Sequence, residues 1–302
     1  MDTLKTWIKA SRLPSLTFIY PSLWLGQAMF VDQYDAFYGS AFIILMLYGL
    51  FMATTIVYAN DYADFETDQL NDTYTPFTGG SRVLVEKELN KTELFIGAMV
   101  MATLSMVVGL YFSIVQSNGF ILLFVVIGLL IFQAYSFYPI RLSYRGYGET
   151  LQMLGVGLIL PLVGFTAQGG DLAQFSWVTA LILLPSQLAM ALSTSLPDEP
   201  SDRKSNKMTT VVNLGNKWSK RLVVGLYLIS FVLVMFYLST ATAMVSSVIF
   251  AILMISLLIV LTYLMLRYET TPGTNSLLLF VALSILTNTV NVIGAIALIV
   301  FG

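Results

Sequence analysis

Nine stretches of about 20 residues, each almost free of charge, run through this 302-residue chain. About that many apolar residues cross a bilayer as a helix, which satisfies every backbone N–H and C=O within its own segment. The runs fall at about 14–31, 38–59, 92–115, 119–138, 149–168, 175–196, 219–239, 244–266 and 275–301. Pro14 and Pro21 interrupt the first, and membrane helices tolerate proline where neighbours re-satisfy the freed backbone. Charged residues make up 11% of the chain, against about 25% in a soluble domain. The expectation is an all-α, multi-pass bundle of nine transmembrane helices, one integral-membrane domain over 1–302, capped by loops or short helices.

Charge sets the orientation. With nine spans, the N-terminus shares a side with the loops after spans two, four, six and eight. All 15 basic residues fall there. Lys5, Lys9 and Arg12 precede the first span; Arg82, Lys87 and Lys91 follow the second; Arg141 and Arg145 follow the fourth. Arg203, Lys204, Lys207, Lys217, Lys220 and Arg221 follow the sixth, and Arg267 follows the eighth. The opposite connections, near Asp32–Asp35, Ser117, Asp171 and Thr240, carry none. The positive-inside rule then places the N-terminus and the long segments 60–91 and 197–218 in the cytoplasm, with the protein in the plasma membrane. No cleavable signal peptide is evident. Met1–Arg12 reads as an amphipathic segment on the membrane surface, with Leu4, Trp7 and Ile8 on one side and Lys5 and Lys9 on the other.

The chain has no cysteine and no histidine. That removes disulfides, iron–sulfur clusters, thiol nucleophiles and imidazole bases, and leaves oxygen as the ligand for any metal, which favours Mg²⁺, Ca²⁺ or Mn²⁺. The net charge of -2 argues nothing for nucleic acid, and no obligate protein partner is implied.

Two acidic clusters stand where apolar runs end. N-D-Y-A-D-F-E-T-D occupies 60–68 and D-E-P-S-D occupies 198–202. Asn60, Asp64 and Asp68 are four apart, as are Asp198 and Asp202, so each set shares a helical face. Asp61 and Glu199 lie off that stripe. Residues 60–72 hold five carboxylates and no cation. Acidic side chains at a helix end are often plain solvated charge, and Glu86, Glu88, Glu93 and Glu269 read that way. Carboxylates at the end of a hydrophobic span default instead to function. Because Mg²⁺ usually bridges one or two carboxylates to substrate phosphates, the clusters point to a diphosphate held between them by one or two ions. Candidate cationic partners for it are Arg82, Lys207, Arg141 and Arg145, and Gly79–Gly80 would admit backbone amides or simply form a turn. The parallel placement of the clusters after spans two and six hints at a weak internal duplication.

These motifs match the N-D-x-x-D-x-x-x-D and D-x-x-x-D patterns of the UbiA superfamily of intramembrane prenyltransferases, in order, in spacing and over nearly the whole chain. Within it the sequence most resembles the 1,4-dihydroxy-2-naphthoate prenyltransferases of menaquinone synthesis. The resemblance rests on W-I-K-A-S-R-L-P-S-L (7–16) with Pro21 and Gly26, and on Y-S-F-Y-P-I-R-L-S-Y-R-G-Y-G-E (135–149). Two departures are Asn206-Lys207 in place of Gly-Lys, and the form of T-P-F-T-G-G-S-R (75–82). The resemblance implies a polyprenyl diphosphate donor, an aromatic acceptor and Mg²⁺, two ions by expectation, with Mn²⁺ as an alternative. Asn60, Asp61, Asp64, Asp68, Asp198 and Asp202 would hold metal, and Arg82, Lys207, Arg141 and Arg145 the diphosphate. Tyr135 and Tyr138 would face the allylic cation, while Arg145 and Glu149 would orient the acceptor. Other acceptors (4-hydroxybenzoate, homogentisate, a haem or a lipid), a terpene cyclase of the same superfamily, and a transporter stay open as alternatives.

Overall fold

A computed structural model describes residues 3–75, 78–239, 244–268 and 270–301, so Thr240, Glu269 and the Pro76–Phe77 pair of the 75–82 motif lie outside the described residues. In chain order the helices are α1 (Thr3–Ala10), α2 (Leu16–Tyr34), α3 (Gly39–Ala63), α4 (Phe65–Gln69), α5 (Lys91–Val115), α6 (Phe120–Ser136), α7 (Gly148–Leu154) and α8 (Leu160–Ala167). They continue as α9 (Trp177–Ser195), α10 (Glu199–Lys204), α11 (Thr210–Leu214), α12 (Asn216–Leu238), α13 (Met244–Arg267) and α14 (Asn275–Val300). Among the described residues there is no strand. Seven segments are long and apolar enough to cross a membrane: α3, α5, the continuous α7–α8 unit, α9, α12, α13 and α14. The stretches expected as the first and fourth spans form α2, 19 residues with Pro21 inside it, and α6, a shorter apolar helix of 17 residues.

Small residues bring α2 and α8 into backbone contact. A Cβ on Gly26 would lie 2.0 Å from the Pro161 carbonyl oxygen, and one on Gly164 would lie 2.3 Å from that of Leu23. Close approach of this kind drives helix association in lipid, where apolar burial gives no net force between helices. The fifth expected span is not one continuous α-helix. Gly155–Ile159 forms a π-turn, closed by a bond from the Leu160 N–H to the Gly155 carbonyl. Proline has no N–H, and in an α-helix its ring would strike the carbonyl four residues back. At Pro161 that carbonyl belongs to Gly157, and the wider turn relieves the conflict. π-turns of this kind cluster at functional sites, and Gly155, Val156 and Ile159 here line a cavity that both acidic clusters share.

The two ends of the bundle differ in charge. At one end Gln33 bonds Gln174, the Tyr34 hydroxyl accepts from Asp171 N–H, and Gln168 accepts from Tyr38 N–H; no lysine or arginine lies among these loops. At the other end the basic loops touch one another. Lys9 bonds Glu86 at 2.5 Å and Glu88 at 2.9 Å, Thr73 bonds the Pro197 carbonyl, and Lys220 bonds the Thr270 carbonyl at 2.8 Å. Two of the acids read as solvated surface, Glu86 and Glu88, thus anchor α1, and a third, Glu93, completes a capping box with Asn90 at the start of α5. In α1, Leu4 and Ile8 are exposed as expected. Trp7 turns inward, its ring 5.4 Å from that of Tyr58, because Gly97 leaves room for the indole.

Gly164→Leu forces a side chain into a backbone contact that cannot move aside. Its thermal unfolding in detergent is expected to show a loss of about 1–3 kcal/mol, the usual cost of overpacking; an unchanged midpoint would place the α2–α8 contact elsewhere.

Candidate active site at the charged end of the bundle

Both acidic clusters keep helical hydrogen bonding while the chain bends from a long helix into a short one. Asp64 caps α3 and leads into α4; its N–H reaches the Asn60 carbonyl at 2.8 Å, and the Asp68 N–H reaches the Asp64 carbonyl at 2.9 Å. Asp198 stands likewise between α9 and α10, with the Asp202 N–H on its carbonyl at 2.8 Å. The face expected from the four-residue spacing is therefore formed. Asn60, Asp64, Asp68, Asp198 and Asp202 all line one cavity of about 240 Å³. Tyr48, Met52, Ile56, Ile131, Phe132 and Ile159 line its apolar part.

Lys207 joins the two walls. Its Nζ lies 2.8 Å from Asp64 Oδ2 and 3.6 Å from Asp202 Oδ1. Burial works against this ammonium, yet Asp64 and Asp202 outweigh it and hold the group charged, well above the ordinary lysine range. A second layer fixes the carboxylates. Asn71 Nδ2 donates to Asp198 Oδ1 at 2.8 Å, and the Tyr144 hydroxyl, 2.8 Å from Thr67 Oγ1, donates to Asp64 Oδ1 at 3.1 Å. Burial and then the Asp64 charge push the Tyr144 phenol up to about 12. Asp61, expected among the metal ligands, lies behind the wall. It accepts from the backbone N–H of Ser81 at 2.9 Å and from the Ser81 hydroxyl, and it sits 3.7 Å from Arg12. Gly79 and Gly80, both at positive φ, line the cavity against these acids; a Cβ on Gly80 would lie 2.3 Å from Asp68 Oδ2.

Three of the four expected cationic partners are placed off the cavity. Arg82 donates to the Asp68 carbonyl and stacks over Tyr74 at 4.5 Å, capping the end of α4. Arg141 donates to the Ala63 carbonyl at 3.2 Å and stacks over Tyr144 at 3.4 Å. Arg145 donates to the Pro139 carbonyl at 3.0 Å. Each places its guanidinium on a backbone carbonyl. Tyr138 is 75% exposed and outside the cavity, whereas Tyr135 and Glu149 line it. Sequence reasoning passed over Arg12, which lines the cavity, and Asn71. Arg12 read only as an orientation charge, and Asn71 shows no pattern that marks it out.

The donor set fits a hard divalent cation. Asp202 Oδ1, in the cavity wall, is buried with no hydrogen bond among the described residues. Burial, reinforced by Asp61 and Asp64, raises Asp68 to about 8, and burial raises Asp202 as well. Among the described residues no three carboxylates converge closely enough to cage an ion unaided. That suits Mg²⁺ shared with oxygens of a ligand.

The raised Asp68 value has a definite sign. Its contribution to stability is complete below the ordinary carboxylate range and is lost as pH rises through about 8, because the unfolded chain releases the proton first. Without divalent ions the unfolding temperature in detergent should fall between about pH 5 and about pH 8.5. Added Mg²⁺ should raise it more at the upper pH, and Asp68→Asn should flatten both trends. A Mg²⁺ effect of equal size at both pH values would contradict an ion among these carboxylates.

A membrane-length helical bundle with two facing aspartate walls over an apolar cavity defines the class. Residues 18–297 match the model of the UbiA prenyltransferase family, to which the chain belongs. No curated protein matches the sequence. Solved structures share the fold at low identity. A UbiA homolog from Archaeoglobus fulgidus bound to GPP and Mg²⁺ superposes with a TM-score of 0.71 at 15% identity, over 97% of this chain and 99% of that one. An apo UbiA homolog from Aeropyrum pernix K1 gives 0.66 at 17% identity, over 97% and 98%. A structure of digeranylgeranylglyceryl phosphate synthase gives 0.60 at 16% identity, over 99% of each chain.

Proposed function

We propose that this protein transfers a polyprenyl group from a prenyl diphosphate to an aromatic acceptor, 1,4-dihydroxy-2-naphthoate, in menaquinone biosynthesis. The observation that carries the reading is the cavity itself, an acid-walled, lysine-bridged polar end continuous with an apolar one. A charged head joined to a hydrocarbon tail matches that division. Homologous structures bound to GPP and Mg²⁺, and to DMAPP and Mg²⁺, support the donor class. The motif at 135–149 supports the acceptor. In this reading one domain crosses the plasma membrane nine times, with α2 and α6 completing the seven longer spans, and the basic end faces the cytoplasm.

Asn60, Asp64, Asp68, Asp198 and Asp202 would hold Mg²⁺. Bound there, the metal supplies charge neutralisation for the diphosphate and its departure. Lys207, already between the walls, donates to the diphosphate oxygens. Asp61 and Arg12 hold the Gly80–Ser81 loop against the first wall. As the allylic C–O bond breaks, its electron pair leaves with the diphosphate. The cation left behind lies along Tyr135 and the apolar lining, where water is excluded. The acceptor ring carbon attacks to form the new C–C bond, then loses its proton or, for a naphthoate, its carboxylate as CO₂.

Purified protein given labelled prenyl diphosphate, Mg²⁺ and a panel of aromatic acceptors is expected to yield a prenylated naphthoate product. Pyrophosphate release without an adduct would favour a cyclase, and no turnover alongside saturable flux in liposomes would sink the enzyme reading. Asp64→Asn and Asp198→Asn should each lower turnover at least about 100-fold while the protein stays folded. Wild-type rates in either would remove these residues from the ion site.

A further inference from the structure

Glu149, the carboxylate expected to hold the acceptor, has little left to offer a ligand. Its Oε1 accepts from the Thr210 backbone N–H at 3.2 Å and its Oε2 from the Thr210 hydroxyl at 2.8 Å, so it fastens α7 to α11. Gln152 stands one turn further along the same face of α7 and also lines the cavity. Its amide makes no hydrogen bond with any described residue. Leu151, Gly155 and Val156 on the same stretch of chain, and Ile131 and Phe132 from α6, supply apolar lining of that cavity.

Ligand pockets orient their occupants in this way, through a few polar groups set in an apolar wall. A hydrocarbon tail has no use for an amide; a hydroxylated ring does. Depth favours the same occupant. Gln152 lies four residues along α7 from Gly148, roughly 6 Å of rise. Gly148 packs against Tyr135 and Ser143, and Tyr135 lies in the field of Lys207. The Tyr48 hydroxyl is also buried without a partner. It sits twelve residues from Asn60, roughly 18 Å along α3, too deep for a ring that must meet the carbon bearing the diphosphate.

We infer that Gln152 selects the aromatic acceptor, its amide hydrogen-bonding a ring hydroxyl and turning the attacking carbon toward the prenyl carbon. The inference rests on the prenyl-transfer reading. Steady-state rates of wild type, Gln152→Leu and Gln152→Met would be compared on 1,4-dihydroxy-2-naphthoate and on analogues lacking one hydroxyl. In both variants the acceptor KM is expected to rise about five- to tenfold, the worth of one hydrogen bond. The prenyl diphosphate KM should stay within about twofold, and the preference for the dihydroxy acceptor over one analogue should collapse. An unchanged acceptor KM with the preference intact overturns the assignment, as do equal rises in both KM values, which mark a packing role. Gln152→Met keeps the side-chain length and carries the comparison if Gln152→Leu does not fold. Failure of the wild type to prenylate any aromatic acceptor overturns the underlying reading instead, and the two failures are read from different samples.

Discussion

One buried ammonium organises the charged end of this bundle. Lys207 lies between Asp64 on the wall that follows α3 and Asp202 on the wall that follows α9. Removing two ions from water is expensive, and a buried pair is sound only when its geometry is good and its remaining valences are met. Here they are met unevenly. Asp64 has Lys207 and Tyr144, while Asp202 Oδ1 has no hydrogen bond. Asp202 Oδ1 thus keeps an acceptor valence that the protein leaves unfilled, at a point where a cation and a polyanion can take it up together.

The loops that bear the walls act as one body. Asn71 and Thr73, beyond the first cluster, bond Asp198 and the Pro197 carbonyl at the second. Arg82, Arg141 and Arg145 secure the same assembly through the carbonyls of Asp68, Ala63 and Pro139. Lys207 differs from these arginines in lying between the two acidic walls, within reach of Asp64 and Asp202. The lysine reaches the carboxylates because its own loop returns beside Tyr144, with the Met208 N–H on the Tyr144 carbonyl.

Much of this was legible in sequence, for physical reasons that can be named. Helices and their faces follow from spacing, so Asn60, Asp64, Asp68, Asp198 and Asp202 converge as their four-residue intervals require. Charge sorting between the two ends follows from where the apolar runs stop. The second layer was illegible because it depends on loop paths: Asn71 and Arg12 reach the acids across folds that no periodicity encodes. Glu86 and Glu88 read as solvated because Lys9 is remote in sequence, whereas Glu93 stands in an N-K-T-E capping pattern that the sequence itself carries. The π-turn was not legible, since Pro21 and Pro185 sit inside continuous helices, α2 and α9, just as Pro161 could have done.

That turn also constrains how this sequence can drift. Each residue added to or removed from a helix rotates everything beyond it by about 100°. Upstream of the turn, Glu149 and Gln152 must face the cavity; downstream, Gly164 must face α2. Deleting one residue between them would swing one of those faces by about 100° into the wrong neighbour. Substitutions can accumulate along this stretch, but its length cannot change. Any descendant keeping both the cavity and the α2 contact inherits the extra residue with them.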